Sequence, residues 1–223
     1  MRRITITLAL AALTVFAGNA LAQSTNDVIK ERQELKKASK KELNEKASKA
    51  ARKEAKSLTK EGWDVAPGAL PLEKQLDRSY MMQMEYDDNL YPKYIMGEAM
   101  STGENYDAAK MQALELAKQN LAGQIQTEIT AIVENTVANK QLAAEEASSI
   151  TESVMASKNL ISQSIGRTLP VVECFRTNSK GNKEVLIRIA YNGDMAKEMA
   201  KKVIREDLEK KGIDLHEQLD NML

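Results

Sequence analysis

One helical stripe of apolar residues dominates the middle of the chain and constrains its fold more than any other feature. Its members are four residues apart as far as Ile125 and then seven and five residues apart, and they mark one face of an α-helix for about nine turns. Its members are Ala109, Ala113, Ala117, Leu121, Ile125, Ile132 and Val137. A second helix is predicted from Gln141 to about Ile165, and the short connection between them makes the two helices antiparallel neighbours. The chain therefore contains a helical hairpin whose apolar face needs a second layer.

Three runs rich in β-forming residues flank this hairpin. They span residues 94–101 before it and residues 169–177 and 184–191 after it. The last two runs enclose residues 178–182, whose Asn, Ser and Gly are typical of a turn, so they predict a β-hairpin. A small antiparallel sheet of about three strands is therefore expected.

Two further helices complete the fold prediction. Residues 26–61 contain no proline and are rich in Ala, Lys, Glu and Leu, so they predict one long, charged and solvated helix. A last helix is predicted between Gly193 and Gly212. The element order indicates an α+β fold, in which a small antiparallel sheet is packed by a long helical hairpin and a C-terminal helix, preceded by the long charged helix.

The first 22 residues have the three regions of a secretory leader. Two arginines give a positive start, residues 4–17 are mostly apolar and uncharged, and Ala20-Leu21-Ala22 has the small-x-small pattern of a cleavage site. We expect the mature protein to begin at Gln23 and to be periplasmic or secreted in a bacterial envelope. No later run approaches the roughly 20 apolar residues of a membrane span, so no transmembrane segment is expected in the mature chain.

Charge separates a basic arm from an acidic body. Residues 23–61 carry more Lys and Arg than Asp and Glu, whereas residues 62–223 carry more Asp and Glu. Composition divides the chain into a leader (1–22), a charged helical arm (23–61), a linker with a short helix (62–92), an α+β domain (93–211) and a C-terminal tail (212–223).

Part of the α+β domain, about residues 93–200, resembles a known family. The residues that carry the resemblance are Gly97-Glu98-Ala99, the alanine ladder Ala109, Ala113 and Ala117, Leu121-Ala122-Gly123-Gln124-Ile125, Glu173-Cys174-Phe175 and the strand 183–189. The pattern resembles the LPP-twenty family of small bacterial envelope lipoproteins and is similar to the N-terminal module of flagellar assembly protein T. The resemblance implies an envelope location and the α+β fold, with no reaction and no catalytic residue. Because the only cysteine, Cys174, is far from the cleavage point, this chain is expected not to be lipid-anchored.

The sequence offers few groups for catalysis. Its one histidine, His216, lies in the polar tail, and no zinc-ligand, nucleophile-elbow or phosphate-loop motif is visible. We therefore expect no catalytic residue, no cofactor, no metal and no enzymatic activity. We interpret Cys174, in a β-rich run, as a small core residue rather than a reactive thiol.

Tyrosine and methionine concentrate in one amphipathic segment between residues 80 and 96. We identify Tyr80, Met84, Tyr86, Tyr91 and Tyr94 as a candidate interaction surface, because Tyr and Met are enriched at interfaces. The alternative is that these side chains form the seam between the short helix and the sheet.

The sequence favours an exported, non-enzymatic envelope protein that binds another envelope component or itself. Its basic arm is expected to contact the acidic body of its own or another copy, or an anionic envelope surface. Nucleic acid is not an expected partner, because the arm has no aromatic residue for stacking. The alternative is a small hydrolytic enzyme or a small-ligand-binding periplasmic protein. A pocket with converging polar groups would favour that alternative, and a closed apolar core with polar surfaces would favour the first function.

Overall fold

The structure, a computed structural model, describes residues 29–34, 36–37, 41, 44–88, 90–139 and 143–223. It divides into two compact units, Met1–Lys46 and Ala47–Leu223. In the first unit the described positions between 29 and 44 are helical, and their side chains are exposed. The predicted leader and its cleavage point lie outside the described residues.

The described part of the second unit contains both helices and strands. They are α1 (Lys49–Lys60), α2 (Leu72–Gln83), β1 (Tyr94–Gly103), α3 (Tyr106–Ala138), α4 (Ala144–Ala156), α5 (Lys158–Ser164), β2 (Leu169–Thr177), β3 (Lys183–Asn192), α6 (Gly193–Lys210) and α7 (His216–Met222). The described strands form one antiparallel sheet in the order β1-β3-β2. This arrangement confirms the predicted α+β fold, with its three-stranded sheet, long helix and C-terminal helix.

Strand β3 is the centre of the sheet and pairs with both other strands. Its register places Gly97 of β1 opposite Ile189, and Cys174 of β2 opposite Leu186. The β2 ladder is irregular after Pro170. Proline has no backbone N–H to donate, and an outer strand tolerates it because one edge of that strand is unpaired.

Helix α3 covers one face of the sheet. Asn105 starts the helix, since its side-chain oxygen accepts a hydrogen bond of 2.9 Å from the backbone N–H of Ala108. The first turns carry only small residues toward the sheet, and larger ones follow. The fully buried side chains include Ala109, Ala113, Ala117, Leu121 and Ile125 from α3, and Val185 and Ile189 from β3. Helix α6 contributes Ala196, Ala200 and Ile204 to the same core. The apolar stripe predicted from the sequence is therefore the face of α3 that is buried in this core.

The second arm of the helical hairpin consists of the helices α4 and α5. The sequence predicts one helix over 141–165, and the structure divides its described part at Ser157, which ends α4. Gln126 of α3 fixes the hairpin, because its buried side-chain amide donates a 2.8 Å hydrogen bond to the carbonyl oxygen of Val154. The connection at 140–142 lies outside the described residues.

The opposite face of the sheet is covered by α1 and α2, and here the structure differs from the predicted arm. Residues 45–48 are not helical, so the expected single helix over 26–61 is interrupted before α1 begins. Ser48 caps α1 by accepting a 3.2 Å hydrogen bond from the N–H of Ala51, and Asp77 of α2 accepts from the N–H of Ser48 at 2.9 Å. The small face of α1 then packs in a cluster with α2, Trp63 and β2, whose buried members are Ala47, Ala51, Ala55, Trp63, Leu72, Leu76, Val172 and Cys174.

Candidate functional site

The five residues of the predicted interaction surface do not share one environment. Tyr80, Tyr91 and Tyr94 are half-buried and pack against three different apolar clusters. Met84 and Tyr86 are exposed over 77% and 54% of their surfaces. The three tyrosines are therefore partly buried in the fold, whereas Met84 and Tyr86 are accessible, and their binding of a partner stays a prediction.

Two further exposed apolar residues extend the exposed pair. Met81, in the last turn of α2, is 58% exposed, and Leu90 is 81% exposed. We call Met81, Met84, Tyr86 and Leu90 the 81–90 surface. Met81 belongs to the Tyr- and Met-rich run visible in the sequence. Leu90 carries no such signal, because its exposure follows from the shape of the loop between α2 and β1.

The loop between α2 and β1 is a tight backbone hairpin. The N–H of Asp87 donates to the carbonyl oxygen of Tyr91 at 2.8 Å, and the N–H of Lys93 donates to that of Glu85 at 2.9 Å. The N–H of Leu90 closes the turn onto the carbonyl oxygen of Asp87 at 3.1 Å. Leu90 has a φ of 65°, in the left-handed region that glycine adopts without strain and a leucine does not.

An ion pair joins this loop to α6, and other charged residues of the loop are exposed. The Asp87 carboxylate lies 3.9 Å from the ammonium of Lys197 on α6, and that ammonium stands 4.3 Å from the ring centre of Tyr91. Glu85 and Asp88 are exposed on the same segment, as are the cations Arg78 and Lys93. The 81–90 surface is therefore a set of exposed apolar side chains on a segment with exposed charges of both signs.

A polar cleft adjoins the end of α2. Its volume is about 540 Å³, and its polar lining consists of Gln83, Glu98, Asn120, Gln124, Lys158 and Arg188. The Arg188 guanidinium contacts the Glu98 carboxylate at 2.6 Å and donates to the buried hydroxyl of Ser79 at 2.8 Å. The side chain of Asn120 donates to the backbone carbonyl of Glu98 at 2.7 Å. A pocket with converging polar groups is the feature expected for the alternative function, a small-ligand-binding protein or a hydrolytic enzyme.

In the cleft, the positive charge of Arg188 is already neutralised by the carboxylate of Glu98. Arg188 is mostly buried and holds both Glu98 and Ser79, so its donors are engaged by the protein itself. Gln124 and Lys158 are exposed at the mouth, where amide and ammonium groups suit a hydrogen-bonding ligand. The cleft can therefore hold a polar molecule mainly through its rim.

A phenol and a thiol near β2 are both held in their protonated forms. Burial, and then the hydrogen bond to the Glu173 carboxylate, raise the pKa of Tyr106 well above its usual range. Burial is also the main cause that raises the pKa of the fully buried Cys174 to about 12. Lys110 donates to the same Glu173 carboxylate at 2.7 Å. At neutral pH neither Tyr106 nor Cys174 is an activated nucleophile.

No family model, curated protein or solved structure matches the chain. Of the described helices, none is both long enough and apolar enough to cross a bilayer. The geometry itself brings forward two candidate sites, the apolar 81–90 surface and the polar cleft beside it.

Proposed function

We propose that this protein is an exported envelope protein that acts by binding another protein, and that the 81–90 surface is the docking site. The observation that carries the proposal is the left-handed backbone of Leu90 together with the exposure of its side chain. A left-handed conformation costs a residue with a side chain roughly 1 kcal/mol or more. Because Leu90 is 81% exposed, packing against the described chain does not offset that cost. A partner that buries Leu90 would offset it.

The chemistry of the surface supports a protein as the partner. Methionine adapts to irregular partners, and tyrosine contributes a large amphipathic ring, so both are enriched at protein interfaces. Exposed Glu85 and Asp88 balance the charges of Arg78 and Lys93 on this segment, so it has no cationic cluster that would attract anionic lipid or nucleic acid. An apolar pocket on the partner would complement the 81–90 surface.

The proposed location in the envelope is supported by the leader-like sequence of residues 1–22 and by the resemblance to the LPP-twenty family. The resemblance also supports a non-enzymatic role, because it carries no catalytic residue onto this chain. N-terminal sequencing of protein from the envelope fraction tests the location. We expect the sequence to begin at Gln23, and a retained Met1 would contradict removal of the leader on export.

The docking proposal is tested by site-specific photocrosslinking in cells that export the protein. A crosslinking amino acid at Met84 is expected to give a discrete adduct, whereas the same group at Met111, an exposed methionine on α3, gives none. Leu90→Gly is expected to abolish the Met84 adduct. Its free energy of unfolding should stay within about 1 kcal/mol of the wild type, because relief of left-handed strain offsets the freedom that glycine adds to the unfolded chain. An adduct that survives Leu90→Gly, or forms equally at Met111, would contradict the proposal.

The polar cleft favours a second candidate function, the binding of a small polar molecule. Its volume lies within the range of known ligand pockets, and six polar side chains converge on it. Native mass spectrometry of protein recovered from the exporting host would show a bound molecule. Gln124→Met should remove it, and Gln119→Met, on an exposed neighbouring position of α3, should not. Equal retention by both variants would place the molecule elsewhere.

A further inference from the structure

The outer face of α1 carries a row of exposed cations. Its members are Lys49, Arg52, Lys53, Lys56 and Lys60, and each of these side chains is exposed. At 3.6 residues per turn, these positions fall within about 100° of the helix circumference. The face opposite to them carries Ala51 and Ala55, which are buried against α2 and the sheet. We call these five residues the α1 cationic face.

These cations are not neutralised within the described parts of the chain. None of the five forms an ion pair with a described carboxylate, although ion pairs join other cations to carboxylates on β1, β3 and α6. Glu54 is half-buried on the flank of the helix, and Glu61, beyond its end, accepts from the hydroxyl of Ser57. Since residues 62–223 are net acidic, α1 places a concentrated positive charge on one side of an acidic body.

We propose that the α1 cationic face docks the protein on an anionic phospholipid bilayer. A short straight helix of about 18 Å presents its cations in one row, which can meet a plane of headgroup phosphates together. Four of the five are lysines, which act as point charges and need no fixed bidentate geometry to attract phosphate. Each basic residue near an anionic membrane adds a similar increment of attraction, so the increments accumulate along the row.

The docking is peripheral and electrostatic. The small apolar face of α1 is already buried against the protein, so it has no area to insert among acyl chains. Attraction between exposed charges and headgroups is screened by salt over a distance of about 10 Å at 0.1 M. The interaction should therefore be reversible and lost at high ionic strength.

Two other anionic partners fit the α1 cationic face less well. A protein interface core is depleted in lysine, which dominates this face. Single-stranded nucleic acid is bound by aromatic stacking beside cations, and this face has no aromatic residue. The nearby Trp63 is buried, and its ring is covered by the guanidinium of Arg176 at 4.6 Å. An anionic bilayer and a nucleic-acid duplex both need only a row of charge, and the bilayer is the one that a protein exported to the envelope, as proposed above, would meet.

The test uses the chain from Gln23 onward, which contains every described residue, and vesicles of phosphatidylcholine with or without phosphatidylglycerol. In co-sedimentation at about 50 mM salt we expect binding to the phosphatidylglycerol vesicles, and at about 500 mM salt we expect its loss. Phosphatidylcholine vesicles alone should bind at least about tenfold less at low salt. Binding that is equal on both vesicles, absent from both or insensitive to salt would overturn the proposal.

Two variants with the same net charge distinguish an effect of the α1 cationic face on vesicle binding from an effect of net charge. The first carries Lys49→Gln, Lys53→Gln, Lys56→Gln and Lys60→Gln, and the second carries Arg167→Gln, Lys180→Gln, Lys202→Gln and Lys210→Gln at exposed positions outside α1. Glutamine forms helix about as well as lysine, and circular dichroism checks that both variants melt like the wild type.

We expect the first variant to lose at least about tenfold in vesicle affinity and the second to stay within about threefold of the wild type. Equal loss in both variants, or no loss in the first, would overturn the proposal. Tighter binding of the wild type to a DNA duplex than to the anionic vesicles would also overturn it, in favour of a nucleic acid. None of these substitutions touches the 81–90 surface, so failure here leaves the protein-docking proposal standing.

Discussion

At the scale of single residues, Gly97 sets the distance between α3 and the sheet. A Cβ at this position would overlap the backbone carbonyl oxygen of Ala117 and lie 2.7 Å from the Cβ of Leu121. The alanines in the first turns of α3 allow this approach, because their side chains are fully buried and short. The contact is between backbone and backbone, so no rotamer change can relieve an added methyl group.

Gly97→Ala is therefore expected to lower the free energy of unfolding by about 2 kcal/mol or more. The matched control is Gly166→Ala, where a Cβ would meet nothing within 4 Å and the change should stay within about 0.5 kcal/mol. Urea denaturation of both variants measures the difference. A Gly97→Ala protein as stable as the wild type would show that α3 can move off the sheet without cost.

The interpretation of Cys174 as a packing residue leads to a second residue-scale prediction. The side chain is fully buried, and burial raises its pKa to about 12, so little thiolate exists at pH 8. A thiol reagent should label the native protein far more slowly than the urea-unfolded protein. Cys174→Ala should lower the free energy of unfolding by about 1 kcal/mol through lost packing. Rapid labelling of the folded protein would contradict this placement.

At the scale of elements, α1 shows where sequence periodicity stops being informative. Its buried face is made of alanines, and an alanine face is equally typical of a solvated helix and of a helix packed closely on a sheet. The partners that decide between the two, Val172 and Cys174, lie more than a hundred residues away along the chain. Ser48, an N-cap residue type, is a local signal for a helix start, and the prediction of one continuous helix over 26–61 did not use it.

The packing of α1 predicts that two truncations differ. A chain that begins at Ala47 retains the whole second unit and should melt like the longer protein. A chain that begins at Leu70 loses α1 and Trp63 and uncovers Leu76, Val172 and Cys174. Its free energy of unfolding should fall by at least about 2 kcal/mol. Equal melting curves in differential scanning calorimetry would show that α1 adds nothing to the core.

At the scale of the whole molecule, local patterns were sufficient for the fold class and insufficient for the sites. The helical stripe of α3 and the turn between β2 and β3 are formed by residues close together in the sequence, and both predicted the observed helix and β-hairpin correctly. The cleft is not local, because Arg188 reaches Glu98 across 90 residues and Ser79 across 109. Leu90 lies in a segment that the Tyr and Met content marks, but its exposure depends on the closed loop.

The last prediction concerns acid, which acts on ion pairs that join separate elements. A hydrogen bond from Arg176, and then one from Asn178, lower the pKa of Glu184, which ties β3 to β2. A hydrogen bond from Lys201 is the largest cause that lowers the pKa of Asp220, which ties α7 to α6. Because the folded protein holds these carboxyl groups below their usual pKa, the unfolded chain takes up protons first as pH falls. Their stabilisation is therefore complete above the usual carboxyl range and is lost as pH falls through it and below.

We expect the free energy of unfolding, measured with urea, to fall steadily between about pH 5 and pH 3. The double variant Glu184→Gln and Asp220→Asn should be less stable at neutral pH and should show a shallower fall, because it has lost two of the groups that take up protons on unfolding. Glu115→Gln, at an exposed position of α3, is the control and should keep the slope of the wild type. If the free energy of unfolding of the double variant falls as steeply with pH as that of the wild type, other carboxylates are responsible for the acid sensitivity of this fold.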